Sequence, residues 1–192
     1  MTLKVIAYAR NGHTDKFGIP RQSREESPIL TRIVFEPEYS IPEALRGIEG
    51  YSHLWLIWGF SEVRRTDVRC TKENGSLELI VSGADLMDGT PIYDIKPYLS
   101  FSDSHPEAQN GFAEETKDRT LRVVFDPAVY TELPPRLLRD APEKEISYIL
   151  SQDPRPAYQD DPDREYKMDY AGYRVIFTVK ETTVTVKKIE KI

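Results

Sequence analysis

Short apolar segments, separated by clusters of proline, glycine, asparagine and aspartate, recur along the chain. Those rich in valine, isoleucine and tyrosine predict β-strands at residues 3–10, 31–37, 52–60, 76–87 and 121–127. A serine followed by an early proline predicts one or two helical turns over residues 41–46. Many short strands with few helices indicate a mainly β protein, built on a closed or nearly closed β-barrel.

The last third of the chain has a different pattern. The stretch "PPRLLRDAPEKEISYILSQDP" predicts a helix with Ile146, Ile149 and Leu150 on one face. The final run, "YRVIFTVKETTVTVKKIEKI", predicts a two-stranded hairpin. We therefore expect a main β-barrel domain over residues 1–125 and a small α+β appendage over residues 126–192.

The composition limits the kinds of site that the chain can form. With 192 residues, 39% of them hydrophobic and 30% charged, it is typical of a globular protein with a real core. The single cysteine, Cys70, excludes an intramolecular disulfide and indicates a reducing cytoplasm. His13, His53 and His105 are too far apart for a metal-ligand spacing, so no metal is expected. Neither a secretory signal nor a membrane-spanning segment is visible.

The net charge of −6 argues against broad, non-specific binding to nucleic acid, which depends on neutralising phosphates. A local basic patch on an acidic protein remains possible. Any nucleic-acid contact is therefore expected on a limited part of the surface.

Three polar stretches carry candidate chemistry. In "FGIPRQS", Arg21 and Gln22 place a cation and a hydrogen-bonding amide on a proline-stiffened loop, which suits a small polar ligand. In "SQDPRPAY", Arg155 and Tyr158 offer a guanidinium and a ring for phosphate or base contacts. Composition alone favours a solvated loop for the first stretch, and a rigid proline loop is the alternative for the second.

The stretch "DLMDGTPIYDIKPYL" combines a turn with an extended segment. The turn at Asp88, Gly89 and Thr90 has backbone N–H groups that could face a ligand. Asp94 and Lys96 alternate along the extended segment and point the same way, so they can pair or share one substrate. A structural salt bridge is the alternative.

Four strings occur in the order and wording of the TrmO family, also called TsaA: "PRQS", "ALRGIEGYSHLWLI", "GADLMDGTPIYDIKPYL" and "LSQDPRPAY". The chain resembles this family over nearly its whole length. The resemblance implies a homodimeric β-barrel enzyme that uses S-adenosylmethionine. The expected reaction is methylation of N6 of the threonylcarbamoyl-adenosine beside the tRNA anticodon, at position 37. The C-terminal region is then expected to recognise the anticodon loop of the tRNA.

The resemblance also assigns roles to residues. The cofactor-binding residues that it implies are Pro20, Arg21, Gln22, Ser61, Glu62, Met87, Asp88, Gly89 and Thr90. The family commonly has histidine where this chain has Ser61. Asp94, Lys96 and Tyr98 become candidates for orienting the substrate, with Asp94 as general base for the proton on the acceptor nitrogen. Arg155 and Tyr158 are the candidates for contact with tRNA.

One departure from the family falls inside the chain. After "LIWGFSEVRR" the family continues through a long basic loop and a "GVFATRSPFRPNPIG"-like segment, whereas here "TDVRCTKENGS" follows Arg65 directly. Either the segment is truly lost, leaving a non-catalytic relative that binds S-adenosylmethionine or RNA, or the protein has a mobile loop that this sequence omits. The second explanation is favoured because removing an interior strand from a barrel leaves buried backbone groups unpaired.

Overall fold

The computed structural model describes residues 3–20, 26–59, 77–109, 120–132, 142–155 and 161–192. Within these ranges the strands are β1 (Ala7–Arg10), β2 (Leu30–Phe35), β3 (Leu54–Trp58), β4 (Glu78–Ser82), β5 (Pro91–Pro97), β6 (Arg122–Phe125), β7 (Tyr166–Tyr170), β8 (Tyr173–Lys180) and β9 (Thr183–Lys191). The helices are α1 (Ser100–Asp103), α2 (Pro127–Glu132) and α3 (Glu143–Ser151), with 3₁₀ turns at Pro37–Tyr39, Pro42–Leu45 and Ile48–Gly50.

The first sheet is a five-stranded antiparallel sheet that curls into half a barrel, with strand order β3-β5-β1-β2-β4. Its two-residue alternation separates an apolar inner face from an outer face that carries both charged and exposed apolar side chains. Ala9 lies opposite Ile33 and both are fully buried, while the next pair, Arg10 and Arg32, faces outward. The inner face therefore forms a core, and the outer face can present charged side chains.

The second sheet has the order β6-β9-β8-β7, with β6 parallel to β9 and the other pairs antiparallel. Helix α3 packs on it through Ile146, Ile149 and Leu150, each at most 1% exposed. The predicted helix face and the predicted C-terminal hairpin are thus both confirmed. These residues belong to the larger of the two apolar cores.

The segment between β1 and β2 joins the two cores. Although its flanking strands belong to the first sheet, Ile29 lies in the core of the second sheet and Phe17 packs against that core. The segment between β1 and β2 is thereby fixed against the second sheet, which is far from it in sequence. The segment also carries the "FGIPRQS" motif, so this crossing bears directly on the candidate site.

The mainly β prediction is confirmed, although the strands are shorter than predicted. The predicted strand over residues 76–87 ends at Ser82, followed by Gly83 with a φ of +73°. Strand β7 was missed because it follows a polar, proline-rich stretch, yet Tyr166, Met168 and Tyr170 alternate inward along it. The proposed domain division after Phe125 stays a prediction; β6, which ends at that residue, pairs with the second sheet. No helix in the described ranges is long and apolar enough to span a membrane.

Candidate functional site

The predicted turn over residues 87–90 forms at the start of β5, and the end of β1 fixes it. Gly89 adopts a φ of +82° and donates its N–H to the carbonyl of Ala9 at 2.9 Å. The Thr90 N–H and hydroxyl both donate to the Met87 carbonyl, at 3.2 and 2.7 Å. The Asp88 N–H donates to the His13 carbonyl at 2.8 Å.

These bonds correct one expectation about ligand binding. The N–H groups of Asp88, Gly89 and Thr90 all have protein acceptors, so the idea that they face a ligand is wrong for this structure. The Asp88 carboxylate is the group that the turn presents, since its side chain is 34% exposed. The turn can therefore contribute a negative charge to a ligand site, with its backbone serving to hold that charge in place.

The carboxylate of Asp88 lies at a cavity of about 380 Å³ on the outer face of the first sheet. The cavity is lined by Arg10, Asn11, Leu30, Arg32, Ile80 and Asp88. Arg10 lies 3.5 Å from Asp88, and Arg32 lies 3.3 Å from Glu78. Leu30 and Ile80 are each 60% exposed. Two guanidinium groups, a carboxylate and two apolar side chains suit a ligand that carries both charges and an apolar ring.

Pro20, the described part of the "PRQS" motif, lines a different cavity. This second cavity, of about 190 Å³, is formed by Lys16, Gly18, Ile19, Pro20, Ile149, Gln152, Asp153 and Pro154. The structure thus brings Pro20 against the start of the "QDPRPAY" string. Among the described residues, Pro20 and Asp88 line different cavities of the chain.

Several predicted site residues lie outside the described residues: Arg21, Gln22, Ser61, Glu62 and Tyr158. The described chain that leads to Ser61 and Glu62 ends at Gly59. The N–H of Gly59 donates to the Pro91 carbonyl at 3.2 Å, immediately after the turn. Gly59, the last described residue before Ser61 and Glu62, therefore lies beside the turn over residues 87–90.

Arg155, a predicted tRNA contact, already has a carboxylate partner. Its guanidinium donates to both oxygens of Asp153, at 2.8 and 3.0 Å, and its side chain is only 10% exposed. These hydrogen bonds raise the pKa of Arg155. A phosphate reaching Arg155 would have to compete with Asp153.

Two of the three predicted catalytic residues, Asp94 and Lys96, lie on β5. Tyr98 follows the strand and donates its N–H to the His53 carbonyl at 3.0 Å. Asp94 lies four residues beyond Thr90, which at about 3.3 Å per residue is roughly 13 Å along the strand. Asp94 and Lys96 are both exposed, as their alternation predicts. No ion pair joins them in the described structure; Lys96 pairs with Asp103 at 3.3 Å, and Asp94 accepts the Ile95 N–H at 2.8 Å.

Asp103 is a polar centre that sequence reasoning missed. Its carboxylate accepts the Leu99 N–H at 3.0 Å and the Trp55 indole N–H at 3.0 Å, besides contacting Lys96. The hydrogen bond from Leu99, then that from Trp55, lowers the pKa of Asp103. The Tyr98 ring lies 6.0 Å from that of Trp55. Since Asp103 and Trp55 are 48 residues apart, no local spacing could have linked them.

His13 is the second residue whose environment the sequence did not reveal. Its ring is 2% exposed and meets the edge of the Tyr170 ring at 5.1 Å. Burial lowers the pKa of His13 to about 4, so the ring is neutral near pH 7. Its Nε2 has no hydrogen-bond partner in the described part of the chain. Across that same part, no group of three metal-ligating side chains lies together.

The fold and site define a mainly β protein in which a half-barrel, with a charged cavity on its outer face, is joined to an α+β unit. Residues 8–78 and 66–104 match the model of the tRNA-methyltransferase O N-terminal domain, and residues 118–192 match that of the TrmO C-terminal domain. The chain therefore belongs to the TrmO family.

Individual relatives agree with this membership. A tRNA (adenine(37)-N6)-methyltransferase of Eikenella corrodens is 41% identical over 118 residues, covering 60% of this chain and 62% of that protein. The Escherichia coli protein of the same name is 29% identical over 80% of this chain and 82% of its own length. A crystal structure of TrmO from Pseudomonas aeruginosa gives a TM-score of 0.76 at 27% identity, covering 99% of this chain and 98% of that chain.

The alignments also show that this chain is shorter internally than its relatives. The alignment with the E. coli protein extends over 195 positions but covers 80% of this 192-residue chain, about 154 residues, so about 40 positions have no counterpart here. The alignment with a putative S-adenosylmethionine-dependent methyltransferase of P. aeruginosa, 203 positions over 84% of the chain, gives a similar shortfall. The N-terminal family model matches in two pieces that meet at residues 66–78, close to the departure noted after Arg65.

Proposed function

We propose that this protein transfers a methyl group from S-adenosylmethionine to N6 of the threonylcarbamoyl-adenosine at position 37 of tRNA. The observation that carries the proposal is the match of both TrmO domains along one chain. Relatives named as tRNA (adenine(37)-N6)-methyltransferases support the adenine and its position. The threonylcarbamoyl group rests on the family resemblance of the sequence motifs.

The cavity beside Asp88 has the chemistry needed to hold the cofactor, which would supply a methyl group on a positively charged sulfur. The Asp88 carboxylate can accept hydrogen bonds from amino or hydroxyl groups, and Arg10 and Arg32 can bind a carboxylate. Leu30 and Ile80 offer apolar contact for a ring. Met87, Gly89 and Thr90 hold Asp88 in position.

The expected homodimer is part of the proposal. In one chain, Pro20 and Asp88 line different cavities, although both belong to the predicted cofactor site. A second copy that placed its 20–22 segment against the Asp88 cavity would complete the site. This arrangement agrees with the homodimer that the family resemblance implies.

A basic face on the second sheet supports contact with tRNA. Residues 166–191 contain six lysines and arginines but three aspartates and glutamates, whereas the whole chain has a net charge of −6. Along β7 and β8, Lys167, Arg174 and Lys180 alternate with buried apolar residues and therefore face outward. Arg174 donates to both oxygens of Asp169 on the same face, so the two lysines supply the unneutralised charge. Positive charge concentrated on one face is the usual electrostatic feature of a surface that contacts phosphates.

Positioning and electrostatics can provide most of the acceleration, because methyl transfer is an in-line displacement. Asp94 is the proposed acceptor of the proton lost from N6. We expect Asp94→Ala to lose turnover while its affinity for S-adenosylmethionine, measured by calorimetry, is unchanged. Glu107→Ala, an exposed carboxylate elsewhere, is the control. Turnover by Asp94→Ala equal to that of the wild type would remove the role of Asp94.

The proposed function is tested by incubating the protein with labelled S-adenosylmethionine and two tRNA samples, one threonylcarbamoylated at adenosine 37 and one not. Label is expected in the threonylcarbamoylated tRNA only. Label in neither sample, from protein that binds the cofactor, would refute the proposal.

The internal shortfall of about 40 positions is the observation behind one alternative, a non-catalytic relative that binds S-adenosylmethionine or RNA. The mass of the polypeptide distinguishes the methyltransferase from the non-catalytic relative. A polypeptide mass clearly above 22.1 kDa would show that the natural protein carries the additional segment. A mass of 22.1 kDa, together with absence of label transfer, would establish the alternative.

A further inference from the structure

The segment Asn11-Gly12-His13 holds the candidate cofactor turn from one side. The Asn11 N–H donates to Asp88 Oδ1 at 3.1 Å, and its side-chain amide donates to the Leu86 carbonyl at 2.8 Å. The His13 carbonyl accepts the Asp88 N–H at 2.8 Å. These three bonds fix the backbone before Asp88, the Asp88 amide and the Asp88 carboxylate.

The same segment contacts the second sheet on its other side. The Gly12 carbonyl accepts the Ala171 N–H at 2.9 Å, in the turn between β7 and β8. The His13 ring packs on the Tyr170 ring, and both side chains are at most 4% exposed. Three consecutive residues therefore connect the turn at Asp88 to the β7–β8 hairpin.

The contact is close enough to require glycine at position 12. A Cβ atom at Gly12 would lie 2.7 Å from Cζ and 2.8 Å from Cε2 of the Tyr170 ring, and 3.1 Å from Cβ of Ala171. Because the Tyr170 ring is buried in the core of the second sheet, it cannot move aside without disturbing that core. A displacement on either side of the segment must therefore be transmitted to the other.

We propose that Asn11-Gly12-His13 is a positioning element that couples cofactor binding at the Asp88 turn to tRNA binding on the second sheet. This proposal rests on the proposed function, since it takes the turn as a cofactor contact and the sheet as a tRNA contact. When tRNA binds the hairpin it restrains Tyr170 and Ala171, and through them Gly12 and His13. The Asp88 turn is then held in its binding conformation, so the cofactor loses less conformational freedom on binding.

Coupling of this kind is reciprocal. If tRNA raises the affinity for S-adenosylmethionine by some factor, the cofactor must raise the affinity for tRNA by the same factor. We expect a factor of about 5 or more, the lower end for coupled sites. Calorimetric titrations of the wild-type protein with each ligand, alone and with the other present, measure both factors.

The residue-level test is Gly12→Ala, with Gly50→Ala as its matched control. The same methyl group at Gly50 meets no atom within 4 Å. We expect the coupling factor to fall towards 1 in Gly12→Ala and to keep its wild-type value in Gly50→Ala. An unchanged factor in a folded Gly12→Ala protein would overturn the proposal.

A second pair of variants covers the case in which Gly12→Ala does not fold. Tyr170→Leu removes the ring beside Gly12 and His13, whereas Tyr166→Leu removes a ring from the same strand that stacks on Phe177 instead. Hydrogen exchange at the Asp88 amide is the readout. Tyr170→Leu should accelerate this exchange more than Tyr166→Leu does, and equal exchange in the two variants would overturn the link.

The proposed function and the proposed coupling can fail separately. If the wild-type protein binds neither S-adenosylmethionine nor tRNA, the proposed function fails, whatever the exchange data show. If it binds both ligands without mutual enhancement, the proposed function stands and the coupling is refuted.

Discussion

At the scale of single residues, His13 makes folding depend on pH. Its pKa is lowered by burial from 6.5 to about 4. Between these values the unfolded chain binds a proton that the native state does not, so the free energy of unfolding decreases as the pH falls from 6.5 towards 4. The expected loss is about 3 kcal/mol, at 1.36 kcal/mol per pKa unit.

The variant that tests this prediction is His13→Phe, which keeps a ring against Tyr170 and removes the titrating group. Denaturant unfolding at a series of pH values between 6.5 and 4.5 should show a steeper loss for the wild type than for His13→Phe. Glu145 acts in the opposite direction, since burial raises its pKa, but it is present in both proteins and cancels. His105→Phe, at an exposed site, is the control and should keep the wild-type slope. Equal slopes for the wild type and His13→Phe would contradict the assignment.

Asp103 is expected to act by positioning Lys96 and Trp55. In Asp103→Asn the ion pair to Lys96 is lost and the hydrogen bond from the Trp55 indole is weakened. We predict that kcat falls by about tenfold or more, because Lys96 and Trp55 are then no longer placed to orient the substrate. The affinity for S-adenosylmethionine should be retained. Tryptophan fluorescence should change as well, which reports that the Trp55 contact was altered. A normal kcat despite the altered fluorescence would exclude the positioning role.

At the scale of elements, the short-range pattern of apolar and polar residues correctly predicted those helices and strands whose buried face repeats at a regular spacing. The face of α3 and the hairpin of β8 and β9 follow directly from three- to four-residue and two-residue periodicity. The same reasoning anticipated the turn at Asp88. It failed for β7, where a polar, proline-rich approach hid the alternation of Tyr166, Met168 and Tyr170.

The candidate site was only partly predictable, because its contacts join distant parts of the chain. Asn11 and Asp88 are 77 residues apart, and Trp55 and Asp103 are 48 residues apart. Neither pair has a spacing that reveals contact. The sequence likewise allowed Asp94 either to pair with Lys96 or to share a substrate with it. The tertiary structure gives Lys96 a different partner, Asp103, whose carboxylate is held by two further hydrogen bonds.

The basic face of the second sheet makes a prediction at this scale. We expect Lys167→Glu with Lys180→Glu to weaken tRNA binding and to reduce its dependence on salt, because fewer phosphate counterions are then released. Lys4→Glu with Arg46→Glu makes the same change of charge outside this sheet and is the control. Titration of fluorescent tRNA at several salt concentrations gives both quantities. Equal affinities and slopes in the two double variants would place the tRNA contact elsewhere.

At the scale of the whole molecule, the chain departs from its relatives between the two edge strands of the five-stranded sheet, as far as its residues are described. Within the described ranges its edge strands are β3 and β4, and these are the strands that flank residues 60–76. Trp55, Ile57 and Ile80 on these edges are between 46% and 60% exposed. The E. coli protein has about 40 further positions in its alignment with this chain, and the two pieces of the N-terminal family match overlap at residues 66–78. Residues added there would lie between the two open edges.

These observations connect fold and function. The family membership explains the half-barrel, the α+β unit and the motifs, while the structure adds the Asp88 cavity, the Asp103 centre and the segment Asn11-Gly12-His13. These three features contribute to catalysis only if the protein transfers a methyl group to N6 of the threonylcarbamoyl-adenosine. The identity of the reaction product therefore tests the proposed function.

The most direct test is mass analysis of nucleosides from threonylcarbamoylated tRNA that has reacted with this protein and S-adenosylmethionine. We predict that the threonylcarbamoyl-adenosine of position 37 gains one methyl group on N6, in an amount that depends on the protein and the cofactor. An unchanged nucleoside, or a methyl group on any other nucleoside, would contradict it.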